Sequence, residues 1–453
     1  MRINNLCLQN FRCYDELTID FHKNMTVIVG ENGKGKTAIL DALAISLAPY
    51  MNAFGVKGRN MTDRDVRRIK EAGCGDALRI LRMKSKLPVS IKVDGETVGE
   101  EQISWIRELK TIRGRTTSIN AKQLSNYGKK LWEQVNNSND EKVILPVLAY
   151  YGTARMWNDS KLFGNRKIVD LERYVGYEEC LEPSSSYNTF AQWFKYAVLS
   201  AAEFSRYISE TGEQKENPYE MILKAVREAV TTCLKSMGWD NIDYSFALQD
   251  FVICHRDMGE LTIDALSDGS RSIISMAADL AYRMVRLNPD LGCRAVLDTP
   301  GVVLIDEVDM HLHPSWQQTV LYDLQQAFPK VQFIVTTHSP QVLSTVPSEC
   351  IRVLKWNKNF DCVYKPEFSL GAESYQLLKD IQNVDTRPQA LPIVKSLKRY
   401  LDLVSDDKWD SEEAILLREK LDKWARGHEP ALVKADFDIK MRAFRRKKNE
   451  ARL

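Results

Sequence analysis

The chain has 453 residues, 44% hydrophobic and 27% charged, with 63 Lys and Arg against 61 Asp and Glu, so it is long enough for two to three domains and a large buried core. A formal charge of +2 argues against a chain that is basic throughout and coats nucleic acid. No run approaches the ~20 apolar residues of a membrane span, the opening MRINNLCLQNFRCYDELTID has no apolar signal core, and the nine cysteines form no CxxC pair, so secreted, membrane, disulfide-framework and zinc-finger readings are set aside and reduced thiols in the cytoplasm are expected.

In chain order, Arg2 to Leu8 and Leu17 to Phe21 alternate like half-buried strands, and Met25 to Val29 is a short β-branched run fit for a central strand. A glycine-rich loop follows, then a helix with Ile39, Leu40, Leu43 and Ile45 on its buried side. Between Lys57 and Lys130 there are 18 Lys and Arg against 9 Asp and Glu. This basic stretch reads as an α+β insertion over 51–143, with strands at Leu78–Met83 and Val89–Val93 and a turn at Asp94-Gly95. It is either a solvated face or a surface for nucleic acid or a partner. Residues 144–155 predict an apolar strand ending in a polar turn, within a connecting segment 144–175. Helical spacing runs from about Asn188 to Trp239, broken at Pro218, giving a helical insertion over 176–243. Strands return at Tyr244–Ile253 and Leu261–Ile263, and the segment to Lys355 alternates helices and apolar strands, an α/β pattern. Residues 366–453 predict a helical region that ends in a basic run containing Lys440, Arg442, Arg445, Arg446, Lys447 and Lys448; this run docks a partner, contacts DNA or is merely solvated.

The chemistry concentrates in four segments. Gly30-Glu31-Asn32-Gly33-Lys34-Gly35-Lys36-Thr37 matches GxxxxGK[ST] between a strand and a helix. Its glycines let the backbone amides of Asn32 through Ala38 turn inward around phosphate oxygens at a helix N-terminus. Lys36 reaches the β- and γ-phosphates and the Thr37 hydroxyl is placed to coordinate Mg2+. Val302-Val303-Leu304-Ile305-Asp306-Glu307 delivers Asp306 to the Mg2+ shell and Glu307 to an attacking water. Leu266-Ser267-Asp268-Gly269-Ser270-Arg271 opens a helix: Ser267 is an N-cap and Gly269 leaves backbone donors open to an anion. Val331–Thr337 ends at His338-Ser339-Pro340, 31 residues after Glu307. His311 and His313 in the intervening MHLHP alternate, but a metal site there is disfavoured.

These motifs, in this order, resemble the SMC/RecF class of ABC-type ATPases, whose heads have an α/β fold: a mixed sheet with flanking helices. Leu8-Gln9-Asn10-Phe11-Arg12-Cys13-Tyr14 is similar to the LxNFRxY start of that class, which implies that Arg12 lies against bound nucleotide. The resemblance makes Leu266–Arg271 the signature, Asp309 the D-loop aspartate and His338 the γ-phosphate sensor. It divides the head into an N-terminal lobe at 1–50 and a C-terminal lobe at 244–365. The phosphate loop and the signature are about 230 residues apart, too few for a long coiled-coil arm. Pro146–Arg155, IDEVDMHLHPSWQ and TTHSPQVL look like the ATPases that accompany bacterial defence nucleases, including the PtuA subunit of Septu anti-phage systems and retron-associated relatives, which are also related to the OLD nucleases. Two departures stand out. No glutamine marks the Q-loop after Tyr150, which leaves Arg155 as its candidate, and Asp268 occupies a position where many relatives carry Gly.

The resemblance implies an ATPase using ATP and Mg2+. Lys36, Thr37, Asp306, Glu307 and His338 would come from one protomer and Ser267 and Gly269 from another, in a head-to-tail dimer or an oligomer of dimers. The 115 residues after His338 contain no DxD pair at a strand end and no HNH cluster, so the expected nuclease is a separate HNH subunit, PtuB-like. Three other readings stay open: a RecF-like repair ATPase that binds DNA directly, a scaffold that closes on ATP and barely hydrolyses it, and an autonomous nuclease hidden in the helical regions.

Overall fold

A computed structural model of the chain describes residues 1–70, 83–137, 143–153, 173–183, 187–357 and 360–450. The chain forms two compact units, Met1–Gln382 and Asn383–Leu453. The first is built on a six-stranded sheet. Its strands β3 (Met25–Val29), β8 (Val147–Tyr151), β12 (Gly301–Ile305), β13 (Val331–Thr337) and β14 (Ile351–Asn357) run parallel, and β15 (Phe360–Tyr364) is an antiparallel edge, in the order β15-β14-β3-β13-β12-β8. All residues of β3, β8, β12 and β13 are buried, which is why these strands are continuous apolar runs with no alternation. The helix Lys36–Ser46 follows β3 and is buried almost all round, the signature of an interior helix.

A second, antiparallel sheet has the order β2-β1-β6-β7, from β1 (Arg2–Gln9), β2 (Glu16–Asp20), β6 (Val89–Glu96) and β7 (Gln102–Leu109). The basic region 51–143 therefore gives two strands to the sheet that begins the head, with β6 pairing directly against β1. Asp94-Gly95 is not a turn. It continues β6, with Gly95 opposite Ile3 on one side and Ile103 on the other. The ladder holds the chain extended there, and reversal is deferred to Thr97–Glu101, where Thr97 N donates to Glu101 O at 2.9 Å. Two short strands, β4 (Arg68–Lys70) and β5 (Met83–Ser85), form a separate ribbon. Residues 78–82 of the expected Leu78–Met83 strand, and the Q-loop candidate Arg155, lie outside the described residues.

The expected strand Tyr244–Ile253 is a hairpin of β9 (Trp239–Ser245) and β10 (Asp250–His255), extended by β11 (Gly259–Thr262). Phe246 and Leu248 continue the apolar rhythm but are exposed at the turn, and Gln249 takes a left-handed φ of +54°. The helices Tyr187–Thr211 and Pro218–Leu234 surround the buried helix Asp268–Leu287. Pro218 sits at the first position of its helix, and Asn217 caps it by accepting from Tyr219 N and Glu220 N.

The second unit packs Pro392–Ser405, Glu412–Ala425 and Pro430–Glu450 around Leu397, Tyr400, Leu403, Leu421 and Leu432. Arg387 clamps Glu429 with two hydrogen bonds of 2.9 and 2.6 Å. The side chains of Arg446, Lys447 and Lys448 lie outside the described residues. Among the described residues no helix is long and apolar enough to cross a membrane.

Candidate functional site

The parallel strands β3, β12 and β13 all end on one edge of the sheet, and the loops that leave them carry the motif residues. The glycine loop leaves β3 with left-handed glycines, Gly33 at φ +78° and Gly35 at φ +84°. A Cβ at Gly35 would stand 2.5 Å from Cys13 Sγ and 2.6 Å from Tyr14 Oη, so only glycine fits under the LxNFRxY segment. Tyr14 Oη donates to Lys34 O at 2.8 Å and pins the loop from the same side. Asn32 and Gly33 are exposed and Ala38 is buried in the first helical turn.

Lys36 folds back into this loop and donates from Nζ to Gly30 O at 2.9 Å and to Glu31 O at 3.2 Å. Burial lowers its pKa, opposed by Asp306, Glu307 and Asp309. Thr37 Oγ1 donates to Asp306 Oδ2 at 2.8 Å. Thr336 Oγ1 donates to Asp306 Oδ1 at 2.6 Å and accepts from Glu307 N at 2.8 Å. Asp306 N donates to Tyr151 O at 2.8 Å, across the β12–β8 ladder. Glu307 has φ +49°, a left-handed turn that ends the strand and is uncommon for a residue with a side chain. Asp309 Oδ1 accepts from Thr337 Oγ1 at 2.6 Å.

His338 is placed by Gln382, whose Nε2 donates to His338 O at 2.7 Å. Its ring Nε2 is buried and, among the described residues, has no hydrogen-bond partner. Burial first, and then nearby Lys36, lowers its pKa, against the pull of the three carboxylates, so the neutral ring is favoured.

The remaining predicted residues are held by other partners. Ser267 caps the helix Asp268–Leu287 by accepting from Ser270 N at 3.4 Å. A Cβ at Gly269 would lie 2.3 Å from His311 O, so this helix end sits tightly on the chain just beyond Asp309. Arg12, at φ +51°, reaches Asp41 at 2.6 Å and Asp65 at 2.8 Å, and Asp41 also takes Arg59 at 2.7 Å. His313 caps the short helix Pro314–Gln317 through Ser315 N.

Three observations bear on whether this set fits a nucleotide and a divalent cation. An orphaned, buried imidazole nitrogen points to a missing partner. An ammonium donor rests on loop carbonyls at a helix N-terminus. Thr37 and Asp306 supply the hard oxygen ligands that Mg2+ takes. The residues fit both groups.

A family model described as an AAA domain matches residues 5–232, half of the chain, and a second AAA-domain model matches residues 239–344. The chain belongs to the AAA-domain family. This AAA-domain ATPase is 26% identical to "Retron Ec83 probable ATPase" of Escherichia coli, over 98% of this chain and 87% of the other. It is 24% identical to "Septu protein PtuA" of Bacillus thuringiensis, over 90% and 91% of the two chains. It is also 32% identical to "DNA replication and repair protein RecF" of Streptococcus suis (strain 05ZYH33), over 28% of this chain and 29% of that one. The resemblance to SMC/RecF-class ATPases, and within them to the Septu and retron ATPases, is borne out.

The AAA domain also uses residues that motif reading does not reach. Thr336 ties the Asp306 carboxylate and the Glu307 backbone amide, just past β12, to β13, Gln382 sets His338, and Asp41 and Asp65 set Arg12. The one available signal was Thr336-Thr337, two hydroxyls closing an otherwise apolar strand.

Proposed function

We propose that this AAA-domain ATPase hydrolyses ATP at a site completed by a second, head-to-tail protomer, and thereby controls an HNH-type nuclease subunit in anti-phage defence. The observation that carries the hydrolytic part is the Thr37–Asp306–Thr336–Glu307 chain of hydrogen bonds, which fixes the Asp306 carboxylate and the Glu307 backbone beside the phosphate loop. The loop amides from Asn32 to Ala38 cradle the phosphates, and Lys36 exchanges its carbonyl partners for phosphate oxygens. Thr37 and Asp306 would hold Mg2+, which neutralises charge on the β- and γ-phosphates when bound. Glu307 orients the attacking water and accepts its proton. A neutral His338 with its proton on Nε2 donates to a γ-phosphate oxygen, and Arg12 lies at the nucleotide's flank. Ser267 and the Gly269 amide of the second protomer close the pocket, and Asp309 stands at the seam. Catalysis is positioning and charge stabilisation. The Septu and retron likenesses support the nuclease partner, and a closed ATP-bound dimer supplies the switch as a nucleotide-driven population shift.

The test is Glu307→Gln. Phosphate release should fall about 100-fold or more, while ATP binding persists and ATP-dependent dimers accumulate in sedimentation. Monomers under saturating ATP would sink the shared site. Wild-type turnover in the variant would sink the role of Glu307.

A RecF-like reading has its own support in the partial RecF identity and in the basic stretch between Lys57 and Lys130. It requires tight binding to DNA by the isolated chain.

A further inference from the structure

The last helix, Pro430–Glu450, has two apolar faces. One, through Leu432 and Ala435, is buried in the core of its own unit. The other carries Val433, Phe437, Met441 and Phe444, which are 61, 65, 45 and 67% exposed. Steps of four, four and three residues hold these side chains on one stripe within about 80° of arc and about 16 Å long. A helix that covered only its own bundle would be polar there. Large apolar anchors in this spacing are how a helix lies in a partner's groove.

The charges beside the stripe select the partner. Lys434, Lys440 and Arg445 are exposed along it, against a half-buried Asp438. Asp436 is taken up by Arg418, and Arg442 by Asp407. A second copy would bring two cationic rims together, which opposes pairing. Phosphate-rich DNA gives Phe437, Phe444 and Val433 nothing to pack on.

We propose that this stripe docks a separate protein subunit through an apolar groove rimmed by carboxylates. Resting on the function proposed above, that subunit is the nuclease. Phe437 and Phe444 fill the groove, and Lys434, Lys440 and Arg445 steer and register it.

The full-length chain is co-expressed with the tagged HNH-type subunit of its own operon. Phe437→Glu/Phe444→Glu should raise Kd about 100-fold and empty the pull-down, with ATP hydrolysis and melting temperature as in wild type. Lys434→Glu/Arg445→Glu should weaken binding about fivefold at low salt and less at high salt. If both variants keep the nuclease, the docking site is overturned and the nuclease reading stands. If the wild-type chain binds no nuclease, that reading itself falls. Stripe variants that lose self-association in sedimentation, or lose binding to vesicles of anionic lipid, would assign the stripe to a second copy or to a membrane, and either result overturns the proposal.

Discussion

Asp306 has both carboxylate oxygens engaged by threonines from different elements, Thr37 from the helix after the phosphate loop and Thr336 from β13. Thr336→Val keeps the shape of the side chain but leaves Asp306 Oδ1 and Glu307 N without their shared hydroxyl. Loss of a buried, charge-assisted hydrogen bond costs about 1.5–3 kcal/mol. Turnover should drop about tenfold or more with little change in KM for ATP, measured by steady-state phosphate release. His338 gives a pH prediction with a definite sign. Its pKa is lowered from 6.5 by burial and by Lys36, so the unfolded chain binds the proton more readily than the fold. The stability term is therefore full above about pH 6.5 and is lost as pH falls through the lowered native value. The acid limb of turnover should lie below pH 6.5, and His338→Gln should remove the limb that belongs to this ring. At this scale Lys36, Thr37, Asp306 and Glu307 were legible because their spacing is local. Thr336 and Gln382 were not, because they act across 30 and 44 residues of chain, a separation that only the folded sheet closes.

The helix Lys36–Ser46 is held at both ends by groups from the antiparallel sheet and its β1–β2 loop. At its start Tyr14 and Cys13 press on Gly35. At its end Trp105 Nε1 donates to Ser46 O at 3.0 Å and Arg107 Nη1 to Ile45 O at 2.8 Å. Arg107 is 1% exposed, and burial pushes its guanidinium down to about 10. Its hydrogen bonds go to Ile45 O, Arg59 O and Asn60 Oδ1, a cation placed where the helix dipole is negative. Arg107→Met orphans these acceptors and should destabilise the chain by about 1–3 kcal/mol, read as a lower midpoint in thermal unfolding. An unchanged midpoint would mean that relief of the buried charge offsets the lost bonds. The buried parallel strands were legible as unbroken apolar runs. Asp94-Gly95 misled because a turn-favouring pair sits inside a ladder with neighbours on both sides, and Phe246 and Leu248 misled because they are apolar residues exposed at a hairpin tip.

For the whole molecule, the expectation of an inserted basic arm becomes a structural partnership: β6 and β7 extend the sheet that starts at Arg2, so the basic residues of these two strands belong to the head. If they bind DNA directly, log Kd should change steeply with log salt, by about 0.9 per phosphate contacted. A flat slope in fluorescence titrations would remove the repair reading. The α/β class and the order of the motifs were legible from the strand–loop–helix sequence alone. The division after Gln382 was not, because helical spacing runs on both sides of it and boundaries are set by which apolar faces meet.

The contact between Gly269 and the His311 carbonyl has a mechanical meaning in the proposed dimer. Ser267 would serve a pocket on the other subunit, while Asp309 borders the pocket of its own. With no side chain between them to act as a cushion, the two segments would be expected to shift together in that dimer. Each subunit of the proposed dimer would then work as a rocker arm between two nucleotides, tying the filling, firing and emptying of one pocket to the other.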